Sequence, residues 1–210
     1  MCSKILSILV YAKRPLLLEE LCDAMGACDT SHGRNISKKA PLFKSTVLKL
    51  CAPLVEVQEI QESEEDTKNV CSLSHSAVHS FLIKNPRILT KSISNGQVED
   101  EKLLITPQTL ASICLIYLSQ PCYERVLERK DNQFLTKDGK DIDSHHLLSY
   151  AAKYWSLHLD DLSHGEDWCD LVAEFVRSRQ FLTMLQVQSL MVEGTLSIVP
   201  SVPCFCWLMQ

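Results

Sequence analysis

The spacing of apolar positions changes several times in the first half of the chain, and each change predicts an element. Ile5, Leu6, Leu9 and Val10 recur at i, i+1, i+4 and i+5, the stripe of a short amphipathic helix over residues 2–12. Arg14-Pro15 ends it, because a proline ring pushes the residue before it away from the helical region. Leu16-Leu17 suits a brief strand, and Glu19 to Met25 predicts a second helix that Gly26 stops. Residues 27–44 read as a polar, basic loop. Ser45 is placed to cap a third helix carrying Val47, Leu48 and Leu50, which Pro53 ends. Alternation then takes over. Leu54 to Val57 and Asn69 to Leu73 predict strands on either side of an acidic loop at 58–68. A helix from Ser74 or Ser76 to Lys84 follows, ended by Asn85-Pro86. This order of helix, strand, helix, helix, strand, loop and strand is that of a winged helix, with the acidic loop as its wing.

The second half reads differently. Residues 91–105, with Asn95-Gly96 and the acidic stretch Glu99 to Glu101, look like a linker. Thr106 can cap a helix with Pro107 at its first position, and Leu110, Ile113, Cys114, Tyr117 and Leu118 then recur at helical spacing. Pro121 is expected to open a shorter helix reaching about Lys130, and Lys137 to Lys140 a turn. Asp143 or Ser144 is expected to cap a helix carrying Leu147, Leu148, Ala151, Ala152, Tyr154, Trp155 and Leu159. It is apolar on two faces and so expected to be buried. Trp168, Leu171, Val172, Phe175 and Val176 form a further stripe, and the chain stays apolar through Met191. The expected fold is mainly α. It has a winged-helix domain with a small β-hairpin over 1–90, a linker at 91–105, an α-helical bundle over 106–192 and an irregular apolar tail at 193–210. The tail ends Cys-Phe-Cys-Trp-Leu-Met-Gln, which suggests a truncated or misread gene end.

Composition narrows the chemistry. A formal net charge of −5 gives no general attraction to nucleic acid or anionic membrane. The cysteines are dispersed without a Cys-x-x-Cys pair and read as reduced core residues in a cytoplasmic protein. The N-terminus does not have the form of a signal peptide. No phosphate-binding glycine loop, His-Glu-x-x-His zinc motif or Gly-x-Ser-x-Gly elbow is present. His145-His146 reads as a partly exposed pair rather than as metal ligands. Arg34, Lys38, Lys39, Lys44 and Lys49 cluster around the third helix, where a DNA-reading winged helix places its contacts. A solvated loop beside a strongly acidic wing explains them better.

Leu73 to Leu82, Leu-Ser-His-Ser-Ala-Val-His-Ser-Phe-Leu, resembles the end of the winged-helix domain of STAND-type signalling ATPases, especially fungal NACHT proteins. There a strand ends in Leu-x-His-x-x-x-x-x-Phe-Leu. Arg14-Pro15-Leu16 with Leu18 to Leu21, and Leu54 to Val57, match the same class. So do Leu110 to Leu118 and Leu148 to His158, which resemble the helical segment that joins the winged helix to ankyrin or other repeats. The winged helix is also similar to a segment of GPI inositol-deacylase, which implies no deacylase activity. Ser76 stands where many relatives carry an acid.

The resemblance implies that His75 descends from a sensor whose N–H reaches a bound diphosphate. It implies a fragment of a NACHT-type protein, a regulatory and interaction module between an ATPase and ankyrin repeats. The expectation is no enzyme and no cofactor or metal. Protein partners are expected, among them an upstream NACHT domain and downstream repeats, but neither nucleic acid nor membrane. The alternative is a DNA-binding winged-helix protein.

Overall fold

A computed structural model of the chain describes residues 1–28, 40–61, 67–86, 88, 91–94, 97–100, 107–131, 133–159 and 166–193. The fold is mainly α. It divides into two compact units, Met1–Leu110 and Ala111–Gln210.

The first unit begins with α1 (Cys2–Tyr11), β1 (Leu16–Leu17) and α2 (Leu18–Cys28), followed by α3 (Ala40–Cys51). Ile5, Ile8, Leu16 and Leu21 are completely buried, as is Val47 of α3, so the apolar stripe of each element faces a shared core. β2 (Val55–Gln61) and β3 (Thr67–Leu73) pair antiparallel from Val55 opposite Leu73 to Gln61 opposite Thr67. β1 adds to the other edge of β3, with Leu16 opposite Cys71, giving the strand order β1-β3-β2. α4 (Ser76–Lys84) packs on α1 and β3. A second hairpin, β4 (Lys91–Ser94) with β5 (Gln97–Asp100), follows in this unit.

Several expectations need correction here. α3 starts five residues before Ser45, so Ser45 lies within the helix and is not its cap. Pro41 falls in its first turn, where a missing N–H costs nothing. The wing hairpin is longer than alternation suggested, because residues 58–61 and 67–68, read as loop, continue the ladder. The stretch read as a linker contains the β4–β5 hairpin. Of the two basic and acidic loops, 29–39 and 62–66 lie outside the described residues, as do the 194–210 tail and the Thr106 cap.

In the second unit, α5 (Pro107–Leu118), which crosses the division point, is buried at Ile113, Cys114, Leu115 and Leu118. The helix expected over 121–130 is absent. A single 3-10 turn at Pro121–Tyr123 is followed by a hairpin, β6 (Glu128–Lys130) with β7 (Gln133–Leu135). Glu128, Arg129 and Lys130 are all exposed, so no apolar stripe exists to hold a helix down. α6 (Leu147–Tyr154), α7 (Glu166–Arg177) and α8 (Arg179–Glu193) make the helical core. α6 starts later than expected, because Asp141 caps a 3-10 turn at Ile142–Ser144 first.

Polar side chains of α8 organise the irregular stretch before β6. Gln186 accepts from the Leu127 N–H at 2.7 Å and donates to its carbonyl at 3.1 Å. The buried Thr183 hydroxyl lies 2.7 Å from the Tyr123 carbonyl and 3.0 Å from that of Arg125. Backbone groups without a ladder partner are thereby satisfied. Among the described residues no helix is long and apolar enough to cross a membrane.

Candidate functional site

The Leu73–Leu82 segment forms the junction from β3 into α4. His75 is the N-cap residue of α4, in extended conformation (φ −154°, ψ 146°). Its Nδ1 accepts the Ala77 N–H at 3.0 Å, satisfying one of the orphan donors at the helix start. That bond fixes the tautomer. With Nδ1 accepting, the neutral ring carries its proton on Nε2, a single N–H donor on an exposed side chain at a helix N-terminus. One turn on, His79 Nε2 donates to the Val10 carbonyl at 3.1 Å, tying α4 to the end of α1. The sequence reading singled out His75 and passed over His79. An i, i+4 histidine pair beginning at a cap was the available signal.

The rest of the motif divides between core and surface. Leu82 is buried, whereas Phe81 is 53% exposed. Phe81 lines an apolar groove of about 490 Å³ together with Leu6, Leu54, Ala77, Val78 and Ile88. The groove lies within the first unit, bounded by α1, the start of β2 and α4.

The Arg14 to Leu21 motif acquires a physical reason. Glu20, nearly fully buried, takes two hydrogen bonds from the Arg14 guanidinium at 2.8 and 2.5 Å. It also accepts the Leu17 N–H at 2.8 Å. The carboxylate therefore locks the turn between α1 and α2.

The basic cluster proposed for DNA contact is only partly described. Arg34, Lys38 and Lys39 lie outside the described residues. Lys44 is engaged by the Glu59 carboxylate and the Asn69 amide oxygen, both at 2.6 Å. The Lys44 ammonium holds the Glu59 carboxyl below its usual range. Lys44 and Glu59 thus neutralise each other between α3 and the hairpin.

In the second unit the structure separates the two adjacent histidines. His146 is exposed. His145 Nδ1 lies 2.9 Å from the Tyr123 hydroxyl, and its Nε2 lies 3.4 Å from the Thr136 hydroxyl. Thr136 in turn donates to Asp138 at 2.5 Å, which keeps the Asp138 carboxyl below its usual range. The consistent orientation runs Tyr123 to His145 to Thr136 to Asp138, each donating to the next. This network pins the turn around Gly139 and was not foreseen. Its members are up to 22 residues apart, beyond the reach of spacing arguments. Among the described residues no group of histidine, cysteine and carboxylate side chains could hold a metal ion.

The chain is similar to a protein of Monascus ruber named azaphilone pigments biosynthesis cluster protein L, with 23% identity over 202 residues. The match takes in 92% of this chain but 38% of that protein, so the chain spans under two-fifths of the curated relative it matches. No family model matches, and no solved structure does. The likeness corrects one expectation. A relative named for pigment biosynthesis overturns the reading of the chain as no enzyme.

Proposed function

We propose that residues 1–90 are a winged helix and that the chain is the regulatory and interaction segment of a NACHT-type signalling protein, acting in the cytoplasm on protein partners. The first unit supports the winged-helix reading. Three helices are followed by a hairpin whose inner strand takes β1 on its free edge, in the order β1-β3-β2. The observation that carries the functional reading is the placement of His75 and Phe81. His75 presents Nε2–H at the exposed start of α4. Phe81, a large apolar side chain in the same motif, is 53% exposed beside an apolar groove.

A helix N-terminus with a free N–H donor suits a phosphate. An exposed aromatic ring suits a protein surface. Together they fit a face turned toward a diphosphate-bound ATPase domain, which stabilises the closed state only while the diphosphate is present. The name of the Monascus protein supports placing this regulation in a biosynthetic setting. The DNA-binding alternative draws less support, because the Lys44 ammonium is already engaged by Glu59 and Asn69.

The test is a fusion of this chain behind a NACHT ATPase domain loaded with labelled ADP. Phe81→Ser should speed ADP release by roughly tenfold or more if the ring is a contact hot spot. The melting temperature of the isolated chain should stay nearly unchanged, since the ring is exposed. Unchanged ADP release would count against the reading.

A further inference from the structure

We infer that Cys2 and Cys51 form an oxidation site, a dithiol that hydrogen peroxide converts into a disulfide joining the start of α1 to the end of α3. The two sulfurs lie 3.3 Å apart, with the Cys51 thiol donating to the Cys2 sulfur. α1 packs directly against α3, so both ends of the cross-link are already held together. A disulfide needs sulfurs at ~2.05 Å, so they must approach by a little over 1 Å. Cys2 sits in the first turn of α1 and is only half-buried, which leaves its side chain room to rotate.

The two thiols have different surroundings and therefore different roles. Cys2 lines the open apolar groove and is reachable from solvent. Cys51 is 1% exposed. Peroxide meets Cys2 first. The Cys2 thiolate attacks one peroxide oxygen, the O–O bond breaks, and the departing hydroxide leaves as water, giving a sulfenic acid. The Cys51 sulfur then attacks the Cys2 sulfur. The S–O bond breaks and the leaving hydroxide takes the Cys51 proton as a second water. Two thiols and one peroxide give one disulfide and two waters. Both sulfurs are oxidised and the peroxide oxygens reduced. Burial of Cys51 pushes its thiol up, which keeps it a resolving partner rather than an initial nucleophile. By contrast Cys114 is fully buried and has no such access to peroxide.

The bond would close a loop between positions 49 apart and anchor the first turn of α1 in one wall of the groove. Closing a loop of that length should raise the melting temperature by about 5–15 °C.

The experiment uses the full chain. It is treated with hydrogen peroxide, free thiols are alkylated, and digested peptides are mapped by mass spectrometry with and without dithiothreitol. The expected result is one dithiothreitol-sensitive Cys2–Cys51 peptide pair and a matching rise in melting temperature. Cys2→Ser should abolish both while melting like the reduced wild type. Because Cys51 is buried, Cys2→Ser carries the test if Cys51→Ser fails to fold. Three results would overturn the inference. They are Cys2 and Cys51 both still alkylated after peroxide that fully oxidises glutathione in the same tube, Cys2 joined to another cysteine or a second chain, and Cys2 recovered as sulfinic acid beside a free Cys51.

Discussion

Glu20 shows what single residues contribute. One carboxylate satisfies a backbone N–H at Leu17 and takes two bonds from Arg14, all within the turn that sets α2 against α1. Removing it strands the Leu17 N–H and takes the carboxylate from the Arg14 guanidinium. Glu20→Ala should therefore cost about 2–3 kcal/mol, read as a lowered urea midpoint. A loss below about 0.5 kcal/mol would mean that water replaces the carboxylate freely. The buried cysteines make a second residue-level prediction. Burial pushes the Cys51 and Cys71 thiols up to about 12, while an unfolded thiol ionises near ~8.5. The fold keeps both thiols neutral, so their contribution is complete below pH ~8.5 and is lost as pH rises toward about 12. Urea midpoints should fall between pH 8.5 and 10.5, and less steeply in Cys71→Ala. Equal slopes for variant and wild type would remove Cys71 from the account.

Elements were legible wherever one face of a periodic stripe was buried. α1, β1 and the β2–β3 hairpin are found within a few residues of where the pattern puts them. α4 is read most closely, because Ser76 and Asn85-Pro86 mark both its ends. The losses have distinct physical causes. β6 carries three exposed residues and so has no apolar alternation to read. Its signal was the turn, where Asp131 adopts φ 48°, a conformation that Asp and Asn tolerate better than most residues. β4 and β5 flank Asn95-Gly96 in sequence, a strong hairpin dipeptide that was read as linker because of its acidic surroundings. Trp155 was expected to be buried by its helix, yet it lies just past the end of α6. It is buried instead by an aromatic chain, edge-on to Phe175 at 5.6 Å, which meets Phe181 at 5.7 Å. Trp155→Ala would empty one end of this chain and should cost roughly 3–5 kcal/mol. A change below about 1 kcal/mol in denaturant melts would show that α7 and α8 collapse into the space.

At the scale of the whole molecule, the two units carry different kinds of information. The Ala111–Gln210 unit is held by polar side chains of α8 and by buried networks such as Tyr150 with His158 at 3.0 Å, contacts that only the folded chain brings together. The candidate site in the Met1–Leu110 unit lies in one local segment that sequence reading could single out, since that segment supplies both the capping histidine and the exposed Phe81. The groove beside it was not legible, because it depends on how α1 and α4 pack, and the tautomer follows only from the folded cap bond between Ala77 and His75. As proposed, this face reads a bound diphosphate on a partner ATPase domain. The most direct measurement is calorimetric titration of the chain into a separately purified NACHT ATPase domain, with and without ADP. Association should require ADP and weaken about 10–100-fold in His75→Ala, as expected for loss of one charge-assisted hydrogen bond. Equal affinity with and without ADP, or a His75→Ala variant that binds like wild type, would contradict it.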